Sequence, residues 1–499
     1  MGGLRRQRYP FLDTGGIWPS HRKIETDGSV WSQDAPVGVR LKVQTASLSQ
    51  VMLPAESLWE VDASPGIVSL LHEGGRFRLW YSVSPPDDGR RLICYAESDD
   101  GFGWQRPALG RVTFAGRTDN NILCAANEHP LGFIFRDPSA TDDARYKAVA
   151  PKGRYFRDGR HDPNLDTAQA RKLLADMDLG GVDREERRRR LTIHQALYGA
   201  VSADGLSWRN LDEPILDVGT SALDTHNLCV WDEASSRYVA YLRGHLDRRR
   251  LIRRAEGDTF QQLDPPRICL QCDPQDPLDD DVYNSCYNQY PNLPGRHLMF
   301  PSIYHRIAST VDVQLAVSRD GWNWQRPERR SIIERCLSGD EFGSLYASPH
   351  LVALDDVWQL PVQCNRRLHD FRARGNAYPP DGELRWASWQ PDRLVALQGD
   401  SKGVVTLVER PFSGEPARLN YATEAGGWVR VELVDPPHTP PQPVAALPGY
   451  GLEESEVLDG DELHRELRWN GTADLSHLRG QELSLRLHVH RARVFCLEV

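Results

Sequence analysis

One phrase, S-x-D-G-x-x-W, occurs three times in this chain: SDDGFGW at 98–104, SADGLSW at 202–208 and SRDGWNW at 318–324. Each copy follows a short alternating run, LICYAE, ALYGAV or VQLAV. Asp-Gly after such a run predicts a hairpin, because Gly accepts positive φ and Asp bonds its own backbone. The Trp three residues after the Gly then returns to pack on the strand. A decayed copy, AEGDTFQQL at 255–263, carries Phe260 near the Trp place.

A second piece recurs upstream: a strand, a loop, then a strand rich in aromatics. The second strands read RFRLWYSV, RYKAVA, RYVAYLR, RHLMFPSIY and VWQLPVQ, which makes five units. The last three begin about sixty residues apart, the size of a four-stranded unit. Repeated strand units cannot each bury a face alone; arranged radially they can. The expected fold is all-β, a five-bladed β-propeller over 31–400 after an N-terminal extension, 1–30. DTAQARKLLADMD and DREERRRRL differ in kind and predict a short helical insertion at about 158–192, with Asp residues as N-caps. After residue 400 the phrase stops, and longer alternating strands predict a C-terminal β-sandwich over 401–499.

Charge narrows the function. With 70 acidic against 60 basic residues the net charge is −10, which argues against a nucleic-acid binder. The arginine runs at 187–190 and 248–250 are surrounded by acidic residues and read as solvated surface. No apolar run is long enough to span a bilayer, and the first residues lack a signal-type apolar stretch, so the expected location is cytoplasmic with no membrane partner. Nine scattered cysteines do not make a disulfide framework. Cys269 and Cys272 form a CxxC without a matching second pair, which reads as packed thiols rather than zinc. No Gly-rich nucleotide loop is present, so no organic cofactor is expected. A divalent ion such as calcium could draw on the acids and His226, but no motif fixes one.

In a propeller the first strands bring polar residues from distant parts of the chain to one axial mouth. Reading each unit for such groups gives Trp59 and Glu60; Arg136 and Asp137; Asp224, His226 and Asn227; Tyr283; and Glu341 with His369. Glycoside hydrolysis needs two carboxyl groups, one donating a proton and one ionised. Glu60, Asp137 and Asp224 are the catalytic candidates; the others are candidates for substrate binding. Each also has a plain structural reading. Asp137 before Pro138 suits a turn, and Glu60 beside a Trp suits a buried acid bonded to backbone. The hairpin Asp and Trp residues are architecture.

Together, the S-x-D-G-x-x-W hairpins, the Arg136-Asp137-Pro138 tripeptide, LWE at 58–60, DTHNLCVWD at 224–232 and the ending LRWNGTADLSHLRGQELSLRLHVHRARVFCLEV resemble the five-bladed propeller glycoside hydrolases. These are families 32 and 43, and the likeness is strongest to bacterial family-32-like proteins. The resemblance implies a carbohydrate substrate and a glycosidase. It gives Asp137 the role of holding sugar hydroxyls and stabilising the transition state. The family-32 nucleophile and acid motifs are replaced here by Trp59-Glu60-Val61-Asp62 and by Asp224 with His226. Two alternatives stand beside the hydrolase. One is a non-catalytic carbohydrate-binding propeller. The other is a glycoside phosphorylase, with Arg136, Arg243 or Arg367 as phosphate ligands.

Overall fold

The computed structural model of this protein describes residues 5–86, 89–165, 167–224, 226–337, 340–371, 381–437 and 441–499. The chain is mostly β, with few helices, and its antiparallel units follow one another in a propeller-like arrangement. The first unit is built on Gly66–Glu73, Arg76–Val83 and Leu92–Ser98. The second uses Phe133–Arg136, Tyr146–Arg157 and Leu191–Ser202. The third uses Leu228–Asp232, Arg237–Leu246, Arg249–Gly257 and Arg267–Leu270.

The next strands are broken midway. Asp280–Val282 and Tyr287–Gln289 are parted at Cys286, whose φ is +40°, and His297–Met299 is followed closely by Ser302–His305, as Thr310–Val313 is by Ala316–Ser318. Pro301 lacks an N–H and interrupts the middle run. One set of halves makes a sheet with Trp324–Gln325. The other joins Ser344–Ala347 through a parallel bridge, Val311 to Ser344. That sheet continues into Trp358–Asn365, Gly382–Trp389 and Ser47–Val51, the last supplied from before the first unit.

The repeated phrase has a definite structural job. In each copy the Gly has positive φ: +78° at Gly101, +77° at Gly205 and +70° at Gly321. The turn Asp accepts two backbone N–H groups, as Asp204 does from Leu206 and Ser207. Each Gly carbonyl then accepts a bond from an aromatic of the unit before it. The donors are Trp386 to Gly101 at 3.0 Å, Trp80 to Gly205 at 2.8 Å and Tyr241 to Gly321 at 3.0 Å. The decayed copy uses packing instead: Phe260 lies 6.0 Å from Phe135 and 5.7 Å from Tyr238, centre to centre.

The C-terminal sheet runs in the order Asp461–Glu466, Arg418–Val434, Glu482–Glu498, Val395–Thr406 and Val37–Val43, with Arg8–Pro10 also on Glu482–Glu498. Its two 17-residue strands are broken by register shifts, and its core includes Leu419, Tyr421, Val431, Trp469, Leu485 and Leu487. The expected boundaries therefore move. Residue 400 falls inside a strand, and two segments from the first 43 residues are strands of this sheet, because its long strands need partners on both sides.

The insertion forms two helices, Thr167–Leu179 and Arg184–Arg190, between the second and third strands of the second unit. Leu173, Leu174 and Met177 pack against Tyr155 and Leu191. Asp183 caps the second helix by accepting from the N–H groups of Glu185 and Glu186; Asp166, the other expected cap, lies outside the described residues. No helix among the described residues is long and apolar enough to cross a membrane. The Cys269 and Cys272 thiols donate to the carbonyls of Ile252 and Asp280, and burial pushes both up to about 12.

A Cβ added at Gly205 would lie 2.8 Å from the Trp80 ring while holding a backbone conformation that disfavours side chains. Gly205→Ala should cost about 3 kcal/mol, from positive φ plus overpacking. Denaturant unfolding checks this; an unchanged midpoint would mean the staple carries no stability.

Candidate functional site

Each unit's first strand runs from one end of the arrangement to the hairpin at the other. The residues before that strand, and the connection from second to third strand, therefore share an end. Asp224 to Asn227 precede Leu228–Asp232 at this end. The helical insertion leaves from the same end, since Tyr146–Arg157 runs antiparallel to Phe133–Arg136.

Here Asp224 presents an open carboxylate, its side chain 72% exposed, on a guanidinium that is only 5% exposed: Arg243 Nη1 lies 2.9 Å from its Oδ2. Asn227 fixes the approach, because its Oδ1 accepts the Arg243 backbone N–H at 3.0 Å. The Arg243 guanidinium sits 4.9 Å from the centre of the Tyr283 ring. Arg250 lies 5.3 Å from Tyr283 and 5.0 Å from Tyr304. It is held in turn by buried Asp281 at 2.8 Å. The His369 ring is 4.9 Å from Tyr283 and 4.5 Å from Tyr304, and its Nδ1 is 2.6 Å from the Tyr346 hydroxyl. Burial raises the Tyr283 phenol, and the Asp224 charge adds to this. Burial lowers His369 against the pull of Asp370. At neutral pH the wall thus offers neutral phenols, a neutral imidazole and apolar ring faces beside fixed charges. That mixture suits sugar hydroxyls and sugar C–H faces.

His226 reaches from the third unit to the first, where Nε2 lies 3.2 Å from the Ile67 carbonyl. Burial, then Arg91, holds it down at about 4, and its Nδ1 is buried without a hydrogen-bond partner among the described residues. The Oγ atoms of Ser285 and Ser348 are in the same position. Glu341 stands exposed on the short strand Asp340–Glu341, before Ser344–Ala347.

The other candidates are engaged differently. Asp137 follows its strand and so belongs to the opposite end. Its carboxylate, 2% exposed as a residue, is bonded by Lys147, by the Tyr238 hydroxyl at 2.6 Å, and by the N–H and hydroxyl of Ser139. Burial opposes ionisation of Asp137, but these donors together hold it below its ordinary range. Tyr238 and Arg243, the anchors of Asp137 and Asp224, are five residues apart on one strand, about 17 Å along the backbone. Asp137 and Asp224 are therefore not a catalytic pair, and the expected role of Asp137 at the mouth is replaced by that of a hairpin clamp. Arg136 is exposed at that same end, 3.6 Å from Glu73.

Glu60 is also a clamp. Its Oε1 accepts from the Tyr81 hydroxyl and from Arg106 Nε at 2.9 Å, and its Oε2 accepts the N–H groups of Glu56 and Ser57 at 3.0 and 2.9 Å. With both oxygens engaged and 5% exposure, its carboxylate is already taken up by the protein's own donors. Trp59 packs edge-on against Phe114, 6.0 Å away, rather than offering a sugar platform. Among the phosphate-ligand candidates, Arg243 is neutralised by Asp224 and Arg367 by Asp381.

Sequence reasoning passes over Arg250 and Tyr304. Both sit at strand ends beside the mouth, in runs that read as packing or as solvated charge. The available signal is that they fall next to the second-to-third-strand connections, which share an end with the first-strand starts.

No protein-family model matches this chain, and no curated protein does. Among solved structures it is similar to an alpha-L-arabinofuranosidase from Podospora anserina in complex with cellotriose, at 12% identity over 70% of this chain and 98% of that one, with a TM-score of 0.39. It is similar to an exo-inulinase from Aspergillus awamori at 11% identity over 92% and 98%, with a TM-score of 0.35. It is also similar to a Bombyx mori GH32 beta-fructofuranosidase in complex with sucrose, at 10% identity over 92% and 93%, with a TM-score of 0.38. Likeness at this level does not reach the chemistry, which rests on the residues above.

Because burial outweighs Asp370 at His369, the imidazole should titrate below 6.5. Asp370→Asn removes the raising influence and should move it lower still. Imidazole NMR measures both; a rise in Asp370→Asn would contradict the arrangement.

Proposed function

We propose that this chain is a glycoside hydrolase on a five-bladed propeller followed by a β-sandwich, with its site at the end where the first strands begin. The observation that carries the proposal is the open Asp224 carboxylate, fixed by a buried Arg243 that stacks on Tyr283. A pre-positioned acceptor beside an aromatic wall is how a protein holds a sugar without having to reorganise around it. Asp224 from the third unit and Glu341 from the last supply the two carboxyl groups. Tyr283, Tyr346 and His369 hold the ring between them, and His226 and Asn227 support the Asp224 loop. Glycoside hydrolysis requires its two carboxyls to lie about 5–10 Å apart, one to protonate the leaving oxygen and the other to attack or activate water.

One observation favours a second reading, a carbohydrate-binding propeller without turnover. Asp370 touches the aromatic wall through Tyr304, and the Tyr304 hydroxyl pulls it below its ordinary range, so it is not a proton donor.

A panel of aryl glycosides and oligosaccharides, with and without phosphate, tests the proposal. Turnover should fall about a hundredfold or more from wild type in Asp224→Asn, compared as folded protein, and in Glu341→Gln, at unchanged Tm for the exposed Glu341. Asp137→Asn should lower Tm while leaving kcat/KM of the folded protein within a few-fold. Sugar binding without turnover selects the second reading. Full activity in Asp224→Asn rejects the site.

A further inference from the structure

A polar cavity of about 550 Å³ lies at the junction of the N-terminal segment, the hairpin Asn292 to Arg296 and the C-terminal sheet. Five guanidiniums line it, from Arg6, Arg8, Arg296, Arg319 and Arg410, against one lining carboxylate, Asp13. Asp13 is taken up by Arg319, with contacts of 2.9 and 2.6 Å. Arg8 pairs with Asp392, and Arg6 with Glu415 at 3.2 Å. Arg296 and Arg410 make no ion pair among the described residues. Arg410 lies over the Tyr9 ring at 3.7 Å, with its Nε buried and without a hydrogen-bond partner among those residues. Arg296 donates to the Gly295 carbonyl at 3.3 Å.

The backbone is shaped to this charge. A Cβ on Gly15 would stand 2.7 Å from Arg319 Cζ, and one on Gly16 would stand 2.9 Å from Arg410 Nη2. Two adjacent glycines thus let two guanidiniums close on one segment. Burial and the neighbouring Arg319 charge work against the charged form of Arg296, with Asp13 and Tyr9 opposing them, and burial with Arg319 and Arg296 works against that of Arg410, with Tyr9 opposing. Half-buried like charges kept together call for a counter-anion.

We propose that this cavity is a binding site for a phosphate group, free or as the monoester of a small metabolite. Arg296 and Arg410 are the principal ligands. Planar guanidiniums bind phosphate oxygens two at a time, which lysines do not. Arg319 belongs to an S-x-D-G turn, so the cavity lies at the opposite end from Asp224. The proposal is independent of the function assigned to that end. Binding would tie three parts of the chain together and raise stability by linkage.

The test uses the full chain at constant ionic strength, with calorimetry and thermal unfolding in inorganic phosphate, a hexose 6-phosphate and a hexuronate. Phosphate or the monoester should bind and raise Tm relative to chloride, and Arg296→Gln should weaken binding at least tenfold at unchanged Tm without ligand. Arg410→Gln should do the same, but it also loses the Tyr9 stack, so Arg296→Gln decides if that variant unfolds. Tighter binding of the monoester identifies a metabolite, and equal binding identifies free phosphate; both support the site. No binding beyond chloride, equal binding by Arg296→Gln, or binding of the hexuronate alone overturns it.

Discussion

The fold depends on one contact made three times: the carbonyl of a left-handed turn glycine accepts a bond from a buried aromatic of the preceding unit. The turn Ser and Asp set the geometry by satisfying the turn's own N–H groups. The glycine is needed twice over, for its φ and for the space the aromatic occupies. A hairpin with one exposed face is marginal alone. Stapling each to its neighbour turns separate hairpins into a continuous assembly. Where the phrase has decayed, Phe260 substitutes apolar packing for the bond.

That assembly has two unlike ends. At the hairpin end, carboxylates are consumed: Asp137 is saturated by Lys147, Tyr238 and Ser139. Buried charges of this kind are stable only when paired and fully hydrogen-bonded, and saturation leaves nothing for a ligand. At the other end the arrangement is reversed. The arginine is buried and the carboxylate it holds is open to solvent. Arg250 and Asp281 form a second ion pair beside the same Tyr283 ring, here with the aspartate buried.

The repeated phrase makes the β units and their hairpins readable from sequence, because turn chemistry is local. The insertion is readable for the same reason, with Asp183 at its cap. Domain boundaries are not, because strands such as Arg8–Pro10 and Val37–Val43 find their partners hundreds of residues away. The site is half legible. Asp224, Asn227 and Tyr283 stand out as polar or aromatic groups near first-strand starts, and His369 beside a second-to-third-strand connection. Glu60 and Asp137 stand out equally, and only their donors reveal them as clamps. A carboxylate's residue type says nothing about how many N–H and O–H groups surround it. Arg243 illustrates the converse: in RYVAYLRG it reads as no more than a phosphate ligand, but its role is to hold Asp224.

The central claim is that sugar is held at the Asp224 end and not at the Asp137 end. Amide hydrogen exchange with and without a saturating sugar chosen from the panel tests this most directly. Protection should rise at 226–228, 281–284, 344–347 and 368–370, with 133–145 unchanged. Protection confined to 133–145 would place the ligand at the opposite mouth and contradict the account.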